Sequence, residues 1–152
     1  MPTLQFSKNI FKRGRQFENS ASELVRQVAK KGLESLVLGT KVDTGKARSN
    51  WRVGIGARAT AVIDPYSPYQ KNSKANGAGA SETANASAAI SAGNARINSV
   101  RGVSGVGLKT GIFISNNINY LDKALLPGTI ETASLEARSV VKGFRLFTDR
   151  SR

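Results

Sequence analysis

Histidine and cysteine are both absent from the 152-residue chain. Triads that use either residue, thiolate chemistry and the common zinc sites are therefore excluded. The ten acidic residues are scattered singly, and no spacing suggests a paired-carboxylate site. Asp43 is the most suggestive of them, yet its simplest role is to cap the turn before Lys46. Gly102-x4-Gly107 has the spacing of a phosphate-binding loop, but Leu108 stands where that motif needs lysine. Its context is also inverted, with a helix before it and a strand after it. Gly54-x-Gly56 is a weaker signal still. No catalytic residue, cofactor or metal site is expected, and the chain does not read as an enzyme.

What remains is positive charge. Lys and Arg number 23 against 10 Asp and Glu, a net charge of +13. Lys41, Lys46, Arg48, Arg52 and Arg58 surround the segment VDTGKARSNWRV (42–53), with Asp43 as its one acid. From Thr83 to Leu121 there is no acid, while Arg96, Arg101 and Lys109 are present. Lys8, Lys12, Arg13 and Arg15 form a further cluster with no acid until Glu18. Such a chain is attracted to polyanions, whether nucleic acid or an acidic protein surface. Without a helix-turn-helix, RRM or KH signature, the contact is electrostatic and does not read sequence. A basic face that is merely solvated explains the same charges.

The elements that must position these residues follow from periodicity and length. The length suits one domain, and 39% hydrophobic residues predict a modest core with long polar excursions or an oligomer. No apolar run approaches the roughly 18 residues of a membrane helix, and the N-terminus has no apolar signal region. Residues 1–18 are expected to be an extended arm, with Leu4, Phe6, Ile10, Phe11 and Phe17 among its basic residues. Leaving such side chains in water is costly, which favours contact with a neighbouring subunit over nucleic acid. Ser20 and Glu23 form a capping box, and Ala21, Leu24, Val25, Val28, Ala29, Leu36 and Val37 a helical stripe over about 20–38. Gly39 is a natural stop. Trp51, Val53 and Ile55 alternate as a strand with one buried face, and 57–63 is expected to be a second strand, paired to it around Gly56. A long loop is expected at about 64–80, with Tyr66 and Tyr69 as its anchors. At 81–100, Ala86, Ile90, Gly93, Ile97 and Val100 line one helical face of small or β-branched residues, although a mobile Ala/Ser linker has the same composition. Residues 111–115 read as a central strand, Tyr120, Leu121, Leu125 and Leu126 as a short packed segment, and 130–146 as a last helix. The expected fold is α+β: a small antiparallel or mixed sheet flanked by N-terminal, central Ala-rich and C-terminal helices. The expected division is an arm at 1–18, one domain at 19–147 and a basic tail at 148–152.

Two segments carry a resemblance. VDTGKARSNWRV (42–53) resembles the V-D-T-G-(R/K)-A/L-R-x-x-W segment of the neck and tail-completion proteins of tailed bacteriophages, the head–tail joining family. IFISNNINYLDKALLPG (112–128) is similar to that family's second signature: a strand ending in Asn, then a Tyr, a short helix and a Gly. The match falls on Val42, Asp43, Thr44, Gly45, Arg48 and Trp51, then on Ile114, Asn116, Asn117, Tyr120, Leu121 and Gly128. The chain departs from the family after the Tyr, where LLPGTIETASLEA replaces its Glu-x-Gly-x-Ser-x-Gln-Ala-Pro. The resemblance implies a structural virion protein, made in the host cytoplasm. It implies a homo-oligomeric ring, expected to be six-fold, at the head–tail junction or tail end. Its partners would be other connector and tail proteins, with nonspecific contact to the DNA in the channel and no membrane. Lys8, Lys12, Arg13, Arg15, Lys46 and Arg52 are the candidate subunit or DNA contacts. A nonspecific nucleic-acid-binding protein is the alternative.

Overall fold

In a computed structural model, residues 2–41, 45–68, 78–100 and 111–144 are described, and side chains from residue 8 onward and, in the third stretch, from residue 83. The fold is α+β. Helix α1 spans Pro2–Leu38, α2 Lys46–Ser49, strand β1 Arg52–Ile55, α3 Ala78–Asn98, β2 Ile112–Ser115, α4 Leu121–Ala124 and α5 Thr129–Gly143.

Residues 2–18 are not extended. They are the front half of a single 37-residue helix. Pro2 suits the first helical position, where its missing N–H costs nothing. Between it and Asn19, Gly14 is the only residue of very poor helix propensity. Ser20 therefore lies mid-helix, where its turn has no free N–H to cap, and the Ser20–Glu23 box does not form. Glu23 pairs with Arg26 at 3.3 Å instead.

The back half of α1 is the spine. Leu33 and Val37 are fully buried and meet Trp51, Val53, Ala86, Ala89 and Ile97 in one core. Ala29, Leu36, Ile55, Ile90, Ile112, Ile114, Leu121 and Leu125 pack around it. The small-residue face of α3 does what its composition suggests: Leu33 rests directly on Gly93, where a side chain would collide. α5 packs against α1 from another side through buried Thr129 and Ala133. Ile130 and Val141 of α5 face solvent, because Ala133 is the residue at the contact.

The sheet has two antiparallel strands, with Arg52 opposite Ser115 and Ile55 opposite Ile112. The expected partner, 57–63, is not a strand. The segment instead folds over β1 at Gly54, where a Cβ would meet the Ala57 carbonyl, and the Ala59 carbonyl accepts from Ser115 Oγ (2.9 Å) and Asn117 Nδ2 (2.7 Å). In this small sheet the 111–115 segment is not central, and Phe113 is exposed. The expected 64–80 loop is irregular through Pro68, and α3 begins at Ala78. Tyr69, residues 101–110 and the 148–152 tail lie outside the described residues.

Candidate basic interface

The segment after α1 is built as a corner. Gly45 has φ 75°, and a Cβ there would lie 2.3 Å from Asn85 Nδ2, so glycine is needed for both backbone and space. Asn85 is fully buried in α3. Its Oδ1 accepts from Ser49 Oγ (2.9 Å) and the Ser67 amide (2.8 Å), and its Nδ2 donates to the Ser67 carbonyl (2.7 Å). Asn50 does the same work for the chain at 63: Nδ2 donates to the Ile63 carbonyl and Oδ1 accepts from the Ile63 amide, both at 2.7 Å. Two buried amides thus tie an irregular return segment to α2 and α3, satisfying polar groups that would otherwise be costly.

Trp51 is buried, as its alternation with Val53 implied, although it lies one residue before β1. Its indole Nε1 donates to Thr40 Oγ1 at 2.8 Å, and the Thr40 hydroxyl donates to the Leu36 carbonyl at 2.7 Å. The tryptophan therefore anchors α2 to the end of α1. Arg48 is not a simple outward charge: its Nε donates to the Thr40 carbonyl at 2.8 Å. Val42, Asp43 and Thr44 lie outside the described residues.

The 45–53 and 112–128 segments lie 59 residues apart at their nearest in sequence, and they meet in space. Asn116 Nδ2 donates to the Ala47 carbonyl at 2.8 Å, and Ala47 packs with Ile118 and Ala124 in a second small cluster. Asn117 reaches Ala59. Gly128, with φ 78°, starts α5. Tyr120 is exposed. The buried side chain of that turn is Ile118, which sequence reasoning missed because a lone apolar residue between two asparagines shows no period.

The basic residues fall into two groups. Lys8, Lys12, Arg13 and Arg15 lie on the front half of α1, where every side chain from Lys8 to Asn19 is exposed. Phe11, 72% exposed, sits among Lys8, Lys12 and Arg15, and Ile10 is 53% exposed. The second group lines a groove of about 540 Å³ between β1, the turn after it and α3. Arg52, Arg58 and Arg96 border this groove with Tyr66, and among the described residues no carboxylate does. Its floor includes Trp51, Val53 and Gly93. Gly54 makes the turn possible, since a Cβ there would sit 2.0 Å from the Ala57 carbonyl. The turn folds back onto β1 and places Arg58 on the same groove as Arg52. Lys46, predicted beside Arg52, instead pairs loosely with Asp64 at 3.9 Å.

One carboxylate elsewhere links two helices. Glu136 of α5 accepts from Ser35 Oγ and lies 3.6 Å from Lys31 Nζ. The Ser35 hydroxyl, then the Lys31 charge, hold Glu136 below the usual carboxylate range. Glu34, by hydrogen bond and charge, and then Glu136 raise Lys31 above the usual lysine value. No cluster of three or more potential metal ligands occurs among the described residues, and none of their helices is long and apolar enough to cross a membrane. Neither a family model, nor a curated protein, nor a solved structure matches the chain.

Proposed function

We propose that the chain is a structural, non-enzymatic virion subunit that forms a ring at a phage head–tail junction. In this reading it serves as a neck, tail-completion or tail-terminator part, joins connector to tail and surrounds the DNA channel. The observation that carries the reading is the convergence of the 42–53 and 112–128 segments: Asn116 is bonded to Ala47, so the two halves of the resemblance form one corner. The front half of α1 supports it. A helix of about 25 Å at 1.5 Å per residue, exposed at Ile10 and Phe11, is suited to lie on an adjacent subunit. A contact between two different surfaces of one chain closes into a ring when the rotation allows.

The test is deletion of residues 1–18 together with imaging of the full chain and of assembled particles. The deleted protein keeps its cooperative unfolding and loses ring assembly. A deletion that unfolds the body, or one that assembles normally, contradicts the role given to the helix. A second reading, a nonspecific nucleic-acid-binding protein, is favoured by one specific feature: Arg52, Arg58 and Arg96 gather in one groove that no carboxylate lines among the described residues.

A further inference from the structure

Three arginines from three elements face one groove. Arg52 comes from β1, Arg58 from the turn folded onto Gly54, and Arg96 from the last turn of α3. No ion pair joins any of them to a carboxylate among the described residues. The nearest acid in sequence to the groove's lining residues, Asp64, is 96% exposed and faces Lys46. Like charges converge at a cost unless water or an anion screens them. The fold nevertheless holds them together through rigid parts: the β1–β2 ladder, the Gly54 contact and the packing of α3 on Leu33.

The chemistry of the set points to phosphate. A guanidinium presents a planar fork of N–H donors that matches a phosphate's oxygens two at a time. Arg52, Arg58 and Arg96 put three such forks on one groove. Tyr66, 44% exposed, adds an aromatic face on the same groove. Aromatic faces accept any base by stacking, which gives affinity without sequence preference. A carboxylate-rich peptide would use the charges but would leave this ring without a stacking partner.

We propose that the groove bordered by Arg52, Arg58, Arg96 and Tyr66 is a seat for the phosphodiester backbone of a nucleic-acid strand. The inference deepens the nucleic-acid contact in both readings above and rests on them only for the ligand's class. It does not depend on ring formation.

The experiment is fluorescence anisotropy of the full chain with labelled single-stranded and duplex DNA of about 20 nucleotides, across about 50–200 mM salt. Two charge-loss variants are compared. One is Arg52→Gln/Arg58→Gln/Arg96→Gln. The other is Lys8→Gln/Lys12→Gln/Arg13→Gln/Arg15→Gln, on the front half of α1. The groove variant is expected to flatten the log–log salt slope by about 2 for a single strand and about 2.7 for a duplex, at roughly 0.7 and 0.9 per phosphate contact. The four-residue α1 variant loses more charge yet keeps the slope near that of the parent. Tyr66→Ala weakens single-strand binding about tenfold, the range of one lost stacking contact, and leaves duplex binding nearly unchanged. A groove variant that binds like the parent while the α1 variant fails overturns the groove and leaves nucleic-acid binding standing. Absence of DNA binding at low salt overturns both the groove and the nucleic-acid reading. Equal competition by polyglutamate at matched charge overturns the phosphate assignment. Thermal unfolding of Arg58→Gln alone, at an exposed turn position, separates loss of contact from loss of fold.

Discussion

Replacing Trp51 with alanine removes the largest side chain of the corner, and the structure supports a stepwise estimate. Trp51 is 6% exposed and belongs to the main core cluster with Leu33, Val37, Val53 and Ile97. Truncating a buried aromatic residue to alanine costs about 3–5 kcal/mol, the lost transfer energy plus the cavity. Part of that is polar. The indole donates to Thr40 Oγ1 at 2.8 Å, and Thr40 is fully buried. Trp51→Phe keeps most of the apolar volume but strips that bond. Thr40 still donates to the Leu36 carbonyl, so only an acceptor goes unfilled. The hydrogen bond then accounts for about 1 kcal/mol, and the smaller ring for a similar amount. The expected losses are about 2 kcal/mol for Trp51→Phe and 3–5 kcal/mol for Trp51→Ala. Urea denaturation followed by circular dichroism measures both, since the only tryptophan is lost as a fluorophore. In a cycle with Thr40→Val, Trp51→Phe should show a coupling near 1 kcal/mol. A loss below about 1 kcal/mol for Trp51→Ala, or a coupling indistinguishable from zero, would refute the anchoring role given to this side chain.

Other perturbations test other joints. Gly45→Ala is expected to cost about 2–4 kcal/mol, because left-handed backbone strain adds to a collision that displaces Asn85 from its bonds. Gly128→Ala, at a similar φ but with nothing within 4 Å, should cost only about 1–2 kcal/mol. Equal losses in chemical denaturation would show that Asn85 is not the cause. Glu136 is lowered when folded, so its contribution is present above the ordinary carboxylate range and disappears as pH falls through its folded value. Lys31 is raised when folded, so its contribution is present below the ordinary lysine value and disappears as pH rises through the folded one. Glu136→Gln should flatten the acid limb of stability against pH; superimposable acid limbs for parent and variant would count against the clasp between α1 and α5.

Much of the fold was legible where periodicity was strong. The stripe ending at Leu36 and Val37, the small-residue face of α3 and the inward Trp51 all follow from spacing. The start of α1 was not, because a basic segment whose described side chains are exposed reads equally well as an arm. Ser20–Glu23 imitates a helix start, and the continuous helix overrides it. The strand expected at 57–63 failed for a different reason. Alternation identifies a segment able to pair, but Gly54 and the asparagine at 117 decide which partner it meets. The candidate site was half visible. Arg52 and Arg58 stood in one basic stretch, whereas Arg96 joins them only through the packing of α3. Asn50 and Asn85 were invisible as structural hubs, since buried amides carry no sequence pattern.

The ring is tested most directly by electron microscopy of the assembled particle, with the subunit labelled at its N-terminus. The proposal predicts a closed ring at the head–tail junction or tail end, six-fold in class averages, with the label at subunit boundaries. Particles in which the subunit is absent from that junction, or present there as isolated copies without rotational symmetry, would contradict it.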